Sequence, residues 1–196
     1  MKLNRDFYDR DARVVGEDLI GKILARRYGD TLIKLRIVET EAYIGAIDKA
    51  SHGYGGKVTP RTKIMYGPPG FAYVYFIYGM YYCLNFVTEK EGTCSAVLIR
   101  AGDPVFNEEE MSLNRYNKPL KELTRYQIKN LSNGPGKLCM ALRISVKDNG
   151  TDLTGDEIYV EDDGFRDFKT ERSKRINIDY AEEAKDFLWR YTIQYK

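Results

Sequence analysis

The residues best suited to chemistry lie in one short segment, VETEAY at positions 38–43. It continues a β-rich run, and every second residue of a strand shares a face, so Glu39, Glu41 and Tyr43 project together. Two interpretations remain open. The segment is either the solvated face of an edge strand, or part of a pocket in which one carboxylate acts as a general base and takes a proton from water.

Two further ionisable residues stand out by their surroundings. Arg100 lies in the otherwise apolar run VLIRA, and an inward-facing guanidinium there needs a carboxylate partner because an unpaired buried charge is costly. An outward-facing arginine on a half-exposed strand is the alternative. His52, the only histidine, lies in a glycine-rich loop beside Gly53 and Tyr54, where a surface role is the default.

Several kinds of site are excluded by missing motifs. A Ser-His-Asp triad would depend on His52, and no GxSxG motif accompanies any serine. No GxGxxG or GxxxxGKS/T loop follows a predicted strand, so neither a dinucleotide nor a nucleoside triphosphate is indicated. Catalytic metal sites usually have a histidine cluster, which is missing, and the three cysteines form no CxxC pair. We expect no metal and no cofactor.

Composition predicts one soluble globular domain. Among 196 residues, 31 are basic and 29 acidic, which gives a formal net charge of +2. That balance argues against a basic-tailed chromatin or ribosomal protein, although a folded surface can still segregate its charges for nucleic acid. An odd number of cysteines favours a reducing compartment, and the charged amino terminus lacks the apolar core of a secretory signal. We therefore expect a cytoplasmic location.

The elements that must position these residues follow from the hydrophobic pattern. Apolar residues at helical spacing predict one helix over 6–20, and two β-rich runs at 22–28 and 31–43 predict a hairpin. The uncharged stretch 64–88 is too rich in Gly, Pro and Tyr to span a membrane. It predicts two strands, FAYVYFI and MYYCLNFV, joined by a tight turn with Tyr78 at its tip.

The remaining segments complete a single α+β domain over residues 1–196, built around a largely antiparallel sheet. A strand is predicted at 95–101, followed by a charged surface stretch with helical pieces at 105–130. Asn133 and Pro135 indicate the start of a helix. Late strands are predicted at 155–160 and 188–194, and the apolar side of the helix comprises Leu138, Met140, Ala141 and Leu142.

The chain is unusually rich in tyrosine, with 16 Tyr beside 8 Phe and 1 Trp. In the first aromatic strand, Tyr73, Tyr75 and Ile77 share a face. Most of these rings are expected in the core, but tyrosines on that face can also line a pocket. At the turn, Tyr78 is suited to act as a wedge, because base-flipping and architectural proteins insert such side chains between base steps.

Five runs, taken in order, resemble the alkyladenine DNA glycosylase family, the 3-methyladenine DNA glycosylases. The resemblance extends from about residue 10 to the carboxyl terminus. It implies one compact α+β domain with a curved, mainly antiparallel sheet, flanking helices and a protruding aromatic β-hairpin. The runs are VETEAYIG (38–45), SHGYGGKVTPR (51–61), PGFAYVYFIYGMYYCLN (69–85), VLIRAGDP (97–104) and NGPGKLCMAL (133–142).

The resemblance also implies roles at the reacting centre. Glu41 would activate the attacking water, Arg100 would help to hold it, and the backbone carbonyl of Ile176 would be a third water ligand. Asn85 would crowd the exocyclic amine of a normal guanine, and Ala50 would supply a backbone N–H to a purine edge. The implied substrate-binding residues are Tyr43, Ala50, His52, Tyr75, Asn85 and Leu98, of which Tyr43, His52 and Tyr75 would be the walls that stack on the base.

For the duplex, the resemblance implies that Tyr78 fills the gap left by an extruded nucleotide. The partner would be double-stranded DNA containing damaged purines, with no membrane and no obligate protein partner, and the protein would act as a monomer. No lysine occupies the catalytic motif to form a Schiff base, so the enzyme would be monofunctional. The implied DNA-binding residues are Tyr78, Lys57, Thr59, Arg61, Met80 and Lys137.

The implied activity is that of a repair glycosylase, which flips out alkylated or deaminated purines and hydrolyses the N-glycosidic bond to leave an abasic site. A nucleic-acid-binding module that stacks bases without cleaving them is one alternative. A small-molecule nucleosidase is another. Glu41 with Arg100 would distinguish the enzyme from the binding module, and an exposed Tyr78 beside basic loops would distinguish it from the nucleosidase.

Overall fold

The computed structural model describes residues 1–56 and 58–196. In those ranges, strands form one open sheet in which every pairing is antiparallel. The strands are β1 (Ile23–Tyr28), β2 (Thr31–Ile44), β3 (Ala72–Ile77), β4 (Tyr81–Val87), β5 (Ser95–Phe106), β6 (Ile158–Glu161), β7 (Phe168–Ser173) and β8 (Arg190–Tyr195). Their order is β3-β4-β5-β2-β1-β6, with β8 also paired to β2 and β7 paired to β8.

Short helices flank this sheet, and the expected α+β fold is confirmed. The α-helices are α1 (Arg5–Tyr8), α2 (Ala12–Asp18), α3 (Glu108–Tyr116), α4 (Arg125–Lys129) and α5 (Pro135–Ala141). Brief 3-10 turns occupy Tyr54–Gly56, Lys63–Tyr66, Leu120–Glu122, Val146–Asp148 and Glu182–Asp186. No helix in the described ranges has the length and apolar character needed to cross a bilayer.

The core lies between the sheet and α2, α3 and α5. Helix α2 packs on β2 and β5, whereas α5 packs on β4 and β5. Removing these apolar side chains from water is the main force that holds helices and sheet together. The largest fully buried members include Leu24, Ile33, Leu35, Ile37, Phe86, Ile99 and Met111.

Several sequence predictions need correction. The single helix over 6–20 is wrong: Asn4 caps α1 and Asp11 caps α2, so local side-chain bonds to the backbone divide the segment. On α5, Met140 is 37% exposed, and the neighbouring Cys139 is the residue that faces the core. Strand β7 was not predicted because its FKTERS sequence has exposed charged residues on alternate positions. Strand β5 extends to Phe106, beyond the predicted 95–101.

The two predicted hairpins are confirmed. Strands β1 and β2 pair up to their connecting turn, and β3 pairs with β4 up to Ile77 opposite Tyr81. In the second hairpin, Tyr78 and Gly79 have φ values of 54° and 67°, the left-handed pair that a tight hairpin turn requires. This turn exposes 72% of Tyr78 and 62% of Met80.

Strand β2 is an interior strand, so the solvated edge-strand interpretation of residues 38–43 is wrong. It pairs with β5 from Lys34 to Ile44, with β1 over its first half and with β8 at Glu39, Thr40 and Glu41. Irregular register between Ile37 and Thr40 marks the point at which the partner changes from β1 to β8. The chemistry-bearing segment is therefore enclosed between two strands.

Gly102 provides a test of how tightly β2 and β5 approach. A Cβ at this position would overlap the buried Leu35 side chain and meet the backbone oxygen of Arg36 at 3.0 Å. We expect Gly102→Ala to lower the free energy of unfolding by about 1–3 kcal/mol through overpacking. Gly134→Ala is the control, because its Cβ would meet nothing closer than 3.7 Å. Urea unfolding of both variants measures the difference, and equal stabilities would contradict the close packing.

Candidate active site

A cavity of about 480 Å³ opens between the β3–β4 hairpin, the start of α5 and the segment that precedes β8. Its size is typical of sites that take a small organic group. Aromatic side chains make up much of the wall, and Arg100 and Ile176 contribute to the lining. The cavity is thus framed by parts of the chain that are distant in sequence.

Glu41 lies beneath this cavity with its side chain fully buried. The backbone N–H of Ile176 donates to Oε1 at 2.8 Å, and the Tyr43 hydroxyl donates to Oε2 at 2.7 Å. Arg100 Nη1 donates to Oε2 at 3.2 Å. All three donors belong to residues that line the cavity, whereas Glu41 itself lies behind them. The carboxylate therefore lies directly behind the floor of the cavity, which its three partners form.

Arg100 has the carboxylate partners that its sequence context required. Besides Glu41, it donates through Nε to Glu39 Oε1 at 2.9 Å, and Arg190 Nε donates to the same oxygen at 2.6 Å. Burial alone would lower the pKa of Arg100, but the two carboxylates raise it overall. Two arginines and two glutamates thus form a charge-balanced cluster, with Glu39, Glu41 and Tyr43 on one side of β2 as predicted.

The Tyr43 hydroxyl remains a donor to Glu41 over the whole physiological range. Burial raises its pKa well above the ordinary value, and the neighbouring Glu41 carboxylate raises it further. Behind the ring, the Arg175 guanidinium lies 4.7 Å from the centroid. Arg175 is itself paired with the fully buried Asp48 at 2.5 and 2.8 Å. The inner wall of the cavity is therefore fixed by buried charges that neutralise each other.

The opposite wall consists of His52, Tyr73 and Tyr75. The imidazole of His52 meets the Tyr75 ring edge to face, with centroids 4.7 Å apart. Tyr73 lies 5.3 Å from Tyr75 and is almost fully buried. Tyr43, His52 and Tyr75, the three predicted walls, all line the cavity. Tyr73, which shares a strand face with Tyr75, also lines the cavity, as the sequence allows for tyrosines on that face.

Arg61 packs against this wall, and it remains exposed to solvent. Its Nη2 lies 3.2 Å from His52 Nε2, its Nε donates to the Tyr73 hydroxyl at 3.3 Å, and its guanidinium lies 4.8 Å from the Tyr75 centroid. Because Arg61 can only donate, His52 Nε2 accepts. The proton of a neutral imidazole is then on Nδ1, which lies 3.0 Å from the Tyr73 hydroxyl.

The same contacts control the charge of His52. Its outer side is exposed, but its inner side packs against the tyrosines, and this partial burial together with the Arg61 charge lowers its pKa to about 4. His52 is consequently a neutral imidazole at neutral pH. An imidazolium acid in this position is unavailable above about pH 5.

The other predicted base contacts differ in their availability. Leu98 lines the cavity and is paired with Glu41 on one side and Asn85 on the other. Asn85 is buried at the lining, where its Nδ2 donates to the Tyr73 carbonyl at 3.1 Å. Ala50 also lines the cavity, but its N–H donates to Asp48 at 2.9 Å and is already used. Asn85 and Leu98 are thus the better placed of these residues.

The expected DNA contacts comprise residues that are exposed on the β3–β4 hairpin and residues that are bound to neighbouring side chains. Tyr78 and Lys137 line the cavity mouth, and Met80 is exposed beside Tyr78 on the hairpin. Lys137 Nζ donates to two asparagine oxygens, and the Thr59 hydroxyl lies 3.1 Å from that of Thr62. Lys57 lies outside the described residues. The tip of the hairpin is therefore the most accessible of the expected contacts.

Comparison with known proteins identifies the family. A family model described as methylpurine-DNA glycosylase matches residues 6–196. The chain belongs to this family. Proteins named "Putative 3-methyladenine DNA glycosylase" from Alkaliphilus oremlandii, Clostridium perfringens and Clostridium botulinum are 58%, 55% and 53% identical to it, over 99% of this chain and 96% of theirs. Methylpurine-DNA glycosylases are hydrolases of N-glycosyl bonds, so the chain is an enzyme of that class.

This methylpurine-DNA glycosylase has site residues that sequence reasoning missed. The Asp48–Arg175 pair could not be found from either residue alone, because neither segment shows a pattern that indicates burial. Tyr180 lines the cavity and is 70% exposed, so it shares the mouth with Tyr78. In the described ranges, no three His, Cys, Asp or Glu side chains gather as metal ligands would.

The charge state of His52 can be measured directly, because the chain has one histidine. We expect its imidazole NMR signals to show no titration between about pH 8 and pH 5.5, with a midpoint near 4. In Arg61→Gln the midpoint should move up towards the ordinary value, since one of the two causes of the shift is removed. Lys63→Gln, which removes an exposed charge from the adjoining turn, is the control. A midpoint of about 6.5 in the unmodified protein would contradict the packing described.

Proposed function

We propose that this protein is a monofunctional DNA repair glycosylase that flips alkylated or deaminated purines out of double-stranded DNA and hydrolyses the N-glycosidic bond. One observation carries the proposal: a fully buried carboxylate, Glu41, is held by three residues that line an aromatic cavity. Family membership and the names of the relatives support the same activity. The products would be a free base and an abasic site.

In the proposed reaction, Glu41 acts as the general base. Water would approach it between Arg100 and Ile176, the lining residues that hold its two oxygens. As water forms a bond to C1′, the C1′–N bond breaks, the purine leaves with the electron pair and the water proton passes to Glu41. A purine alkylated at N3 or N7 carries a positive charge and leaves as a neutral base. The negative carboxylate also favours the positive charge that develops on the sugar.

Extrusion of the nucleotide is needed because a base stacked in duplex DNA hides its glycosidic bond. The cavity volume of about 480 Å³ supports acceptance of one extruded purine. Tyr43 and Tyr75 would stack on it, and Asn85 would crowd the exocyclic amine of a normal guanine. Tyr78 would occupy the gap in the duplex. Its left-handed backbone is costly for an aromatic residue, and such strain is commonly retained where it serves a function.

Two alternative functions explain fewer of these features. A binding module without catalysis has no use for a buried Glu41 held by Arg100 under a stacking cavity. A nucleosidase for free nucleosides has no use for Tyr78 exposed at the tip of a hairpin beside Met80. Among the described residues, Lys137 is the lysine that lines the cavity, and its Nζ is bound to two asparagine oxygens, which favours monofunctional hydrolysis. A cytoplasmic location and monomeric action also belong to the proposal, because an odd number of cysteines favours a reducing compartment and the family resemblance implies a monomer.

The role of Glu41 is tested by Glu41→Gln. We expect the single-turnover release of 3-methyladenine from alkylated duplex DNA to fall by about 10²–10⁴-fold, because the amide cannot accept the water proton. Binding to the same DNA should persist, since the substitution keeps the shape of the side chain.

Glu39→Gln is the matched control for this experiment. It makes the same chemical change two residues away on the same face, but Arg100 keeps its bond to Glu41, so the loss should not exceed about tenfold. Glu41→Gln with full activity would refute the general-base role. Equal losses in both variants would indicate that charge balance, and not proton transfer, is what the position supplies.

The wedge role of Tyr78 is tested by Tyr78→Ala. Loss of the stacking ring should reduce extrusion by about tenfold, measured with a fluorescent base analogue in duplex DNA, because stacking on an aromatic ring is worth about 1–3 kcal/mol. Tyr126→Ala is the control, since Tyr126 is similarly exposed, at 75% against 72%, but lies on α4. Unchanged extrusion in Tyr78→Ala would remove this residue from the flipping step.

A further inference from the structure

The two tyrosines that face the proposed base each contact an arginine. The Arg175 guanidinium lies 4.7 Å from the centroid of Tyr43, and the Arg61 guanidinium lies 4.8 Å from that of Tyr75. Both tyrosines line the cavity, whereas neither arginine does. Each guanidinium therefore contacts a stacking wall from outside the space that a base would occupy.

The two arginines differ in how their charge is balanced. Arg175 is fully buried and paired with the Asp48 carboxylate through two hydrogen bonds. Arg61 has neutral polar partners in the described ranges, namely the Tyr73 hydroxyl and the His52 imidazole. Asp48 therefore neutralises the positive charge of Arg175 beside Tyr43. No described carboxylate neutralises the positive charge of Arg61 beside Tyr75.

The other charges around the cavity do not offset Arg61. At the floor, Arg100 and Arg190 are matched by Glu39 and Glu41. Lys137 lies at the start of α5 and binds asparagine oxygens, without contact to an aromatic wall. Within residues 1–56 and 58–196, Arg61 is consequently the cation that touches the stacking surface without a carboxylate partner.

We propose that Arg61 is a specificity-determining residue that biases the site towards neutral purine lesions and against purines that carry the positive charge of N3 or N7 alkylation. This inference rests on the proposed function. A cation stacks well on tyrosine because the ring face is electron-rich, and a guanidinium on the same ring already draws on that electron density. Direct repulsion between the two positive charges acts in the same direction, weakened by the solvent that reaches Arg61.

The neutral state of His52 leaves the Arg61 charge as the source of the bias on this wall. Partial burial and, to a smaller extent, the Arg61 charge lower the pKa of its imidazole, so His52 adds no second cation to the wall at neutral pH. In addition, the Arg61 bond to Nε2 fixes which nitrogen of His52 accepts. Arg61 therefore supplies the positive charge of this wall and fixes the hydrogen-bond pattern of His52 that a base would meet there.

The test compares two lesions in one enzyme. Single-turnover rate constants are measured at about pH 7.5 for release of 3-methyladenine, which is cationic in DNA, and of hypoxanthine, which is neutral. In Arg61→Gln, the ratio of the cationic to the neutral rate constant should rise about fivefold. Arg61→Lys keeps the charge and should keep the ratio. Lys63→Gln removes a nearby exposed charge without touching Tyr75 and should also leave the ratio unchanged.

The ratio separates this role from others. If Arg61 serves only the fold or a DNA phosphate, both rate constants fall together in Arg61→Gln and the ratio stays constant, which would overturn the inference. A rise in Arg61→Lys equal to that in Arg61→Gln would overturn it too, by showing that shape and not charge matters. Absence of base release from either DNA by the unmodified protein would instead refute the proposed function, and the inference with it.

Discussion

Burial of the Glu41 carboxylate is the constraint on which the rest of the site depends. Removing a carboxylate from water costs several kcal/mol unless charged or dipolar partners replace the lost hydration. The replacements are Tyr43 on the same strand, Arg100 on β5 and the N–H of Ile176 from the segment before β8. Two of these three partners are far from Glu41 in sequence. The acid is therefore stable in this position only when sheet and segment have assembled.

A second buried charge pair holds the segment that delivers Ile176. Asp48 and Arg175 are both inaccessible to solvent, and the same guanidinium donates to the Ala42 carbonyl on β2 at 2.9 Å. Asp48 in turn accepts the N–H of Ala50, in the loop that leads to the histidine wall. One ion pair thus links the floor, the loop and the carboxyl-terminal segment. Its contribution is geometric more than energetic, because the cost of burying two charges offsets much of their attraction.

The sequence was informative where the deciding interactions are local or obligatory. Alternation along 38–43 placed Glu39, Glu41 and Tyr43 on one face, and the apolar context of Arg100 required a carboxylate, which the structure supplies. Whether that strand lay inside the sheet could not be predicted, because this depends on pairing with β8, about 150 residues away. The orientation of the Arg61 side chain could not be predicted either, because it depends on contacts with Tyr73 and Tyr75 on β3.

The floor and the hairpin tip solve opposite physical problems, and this explains why tyrosine serves both. At the floor, the Tyr43 hydroxyl must keep its proton beside a carboxylate, and the burial that raises its pKa ensures this. At the tip, Tyr78 must stay accessible, and a left-handed turn with Gly79 holds it 72% exposed. The ring supplies stacking area in both places, while the hydroxyl donates to the buried carboxylate in one and meets solvent in the other. Phenylalanine would meet only part of either requirement: it could not donate to Glu41, and it would leave a wholly apolar ring in water.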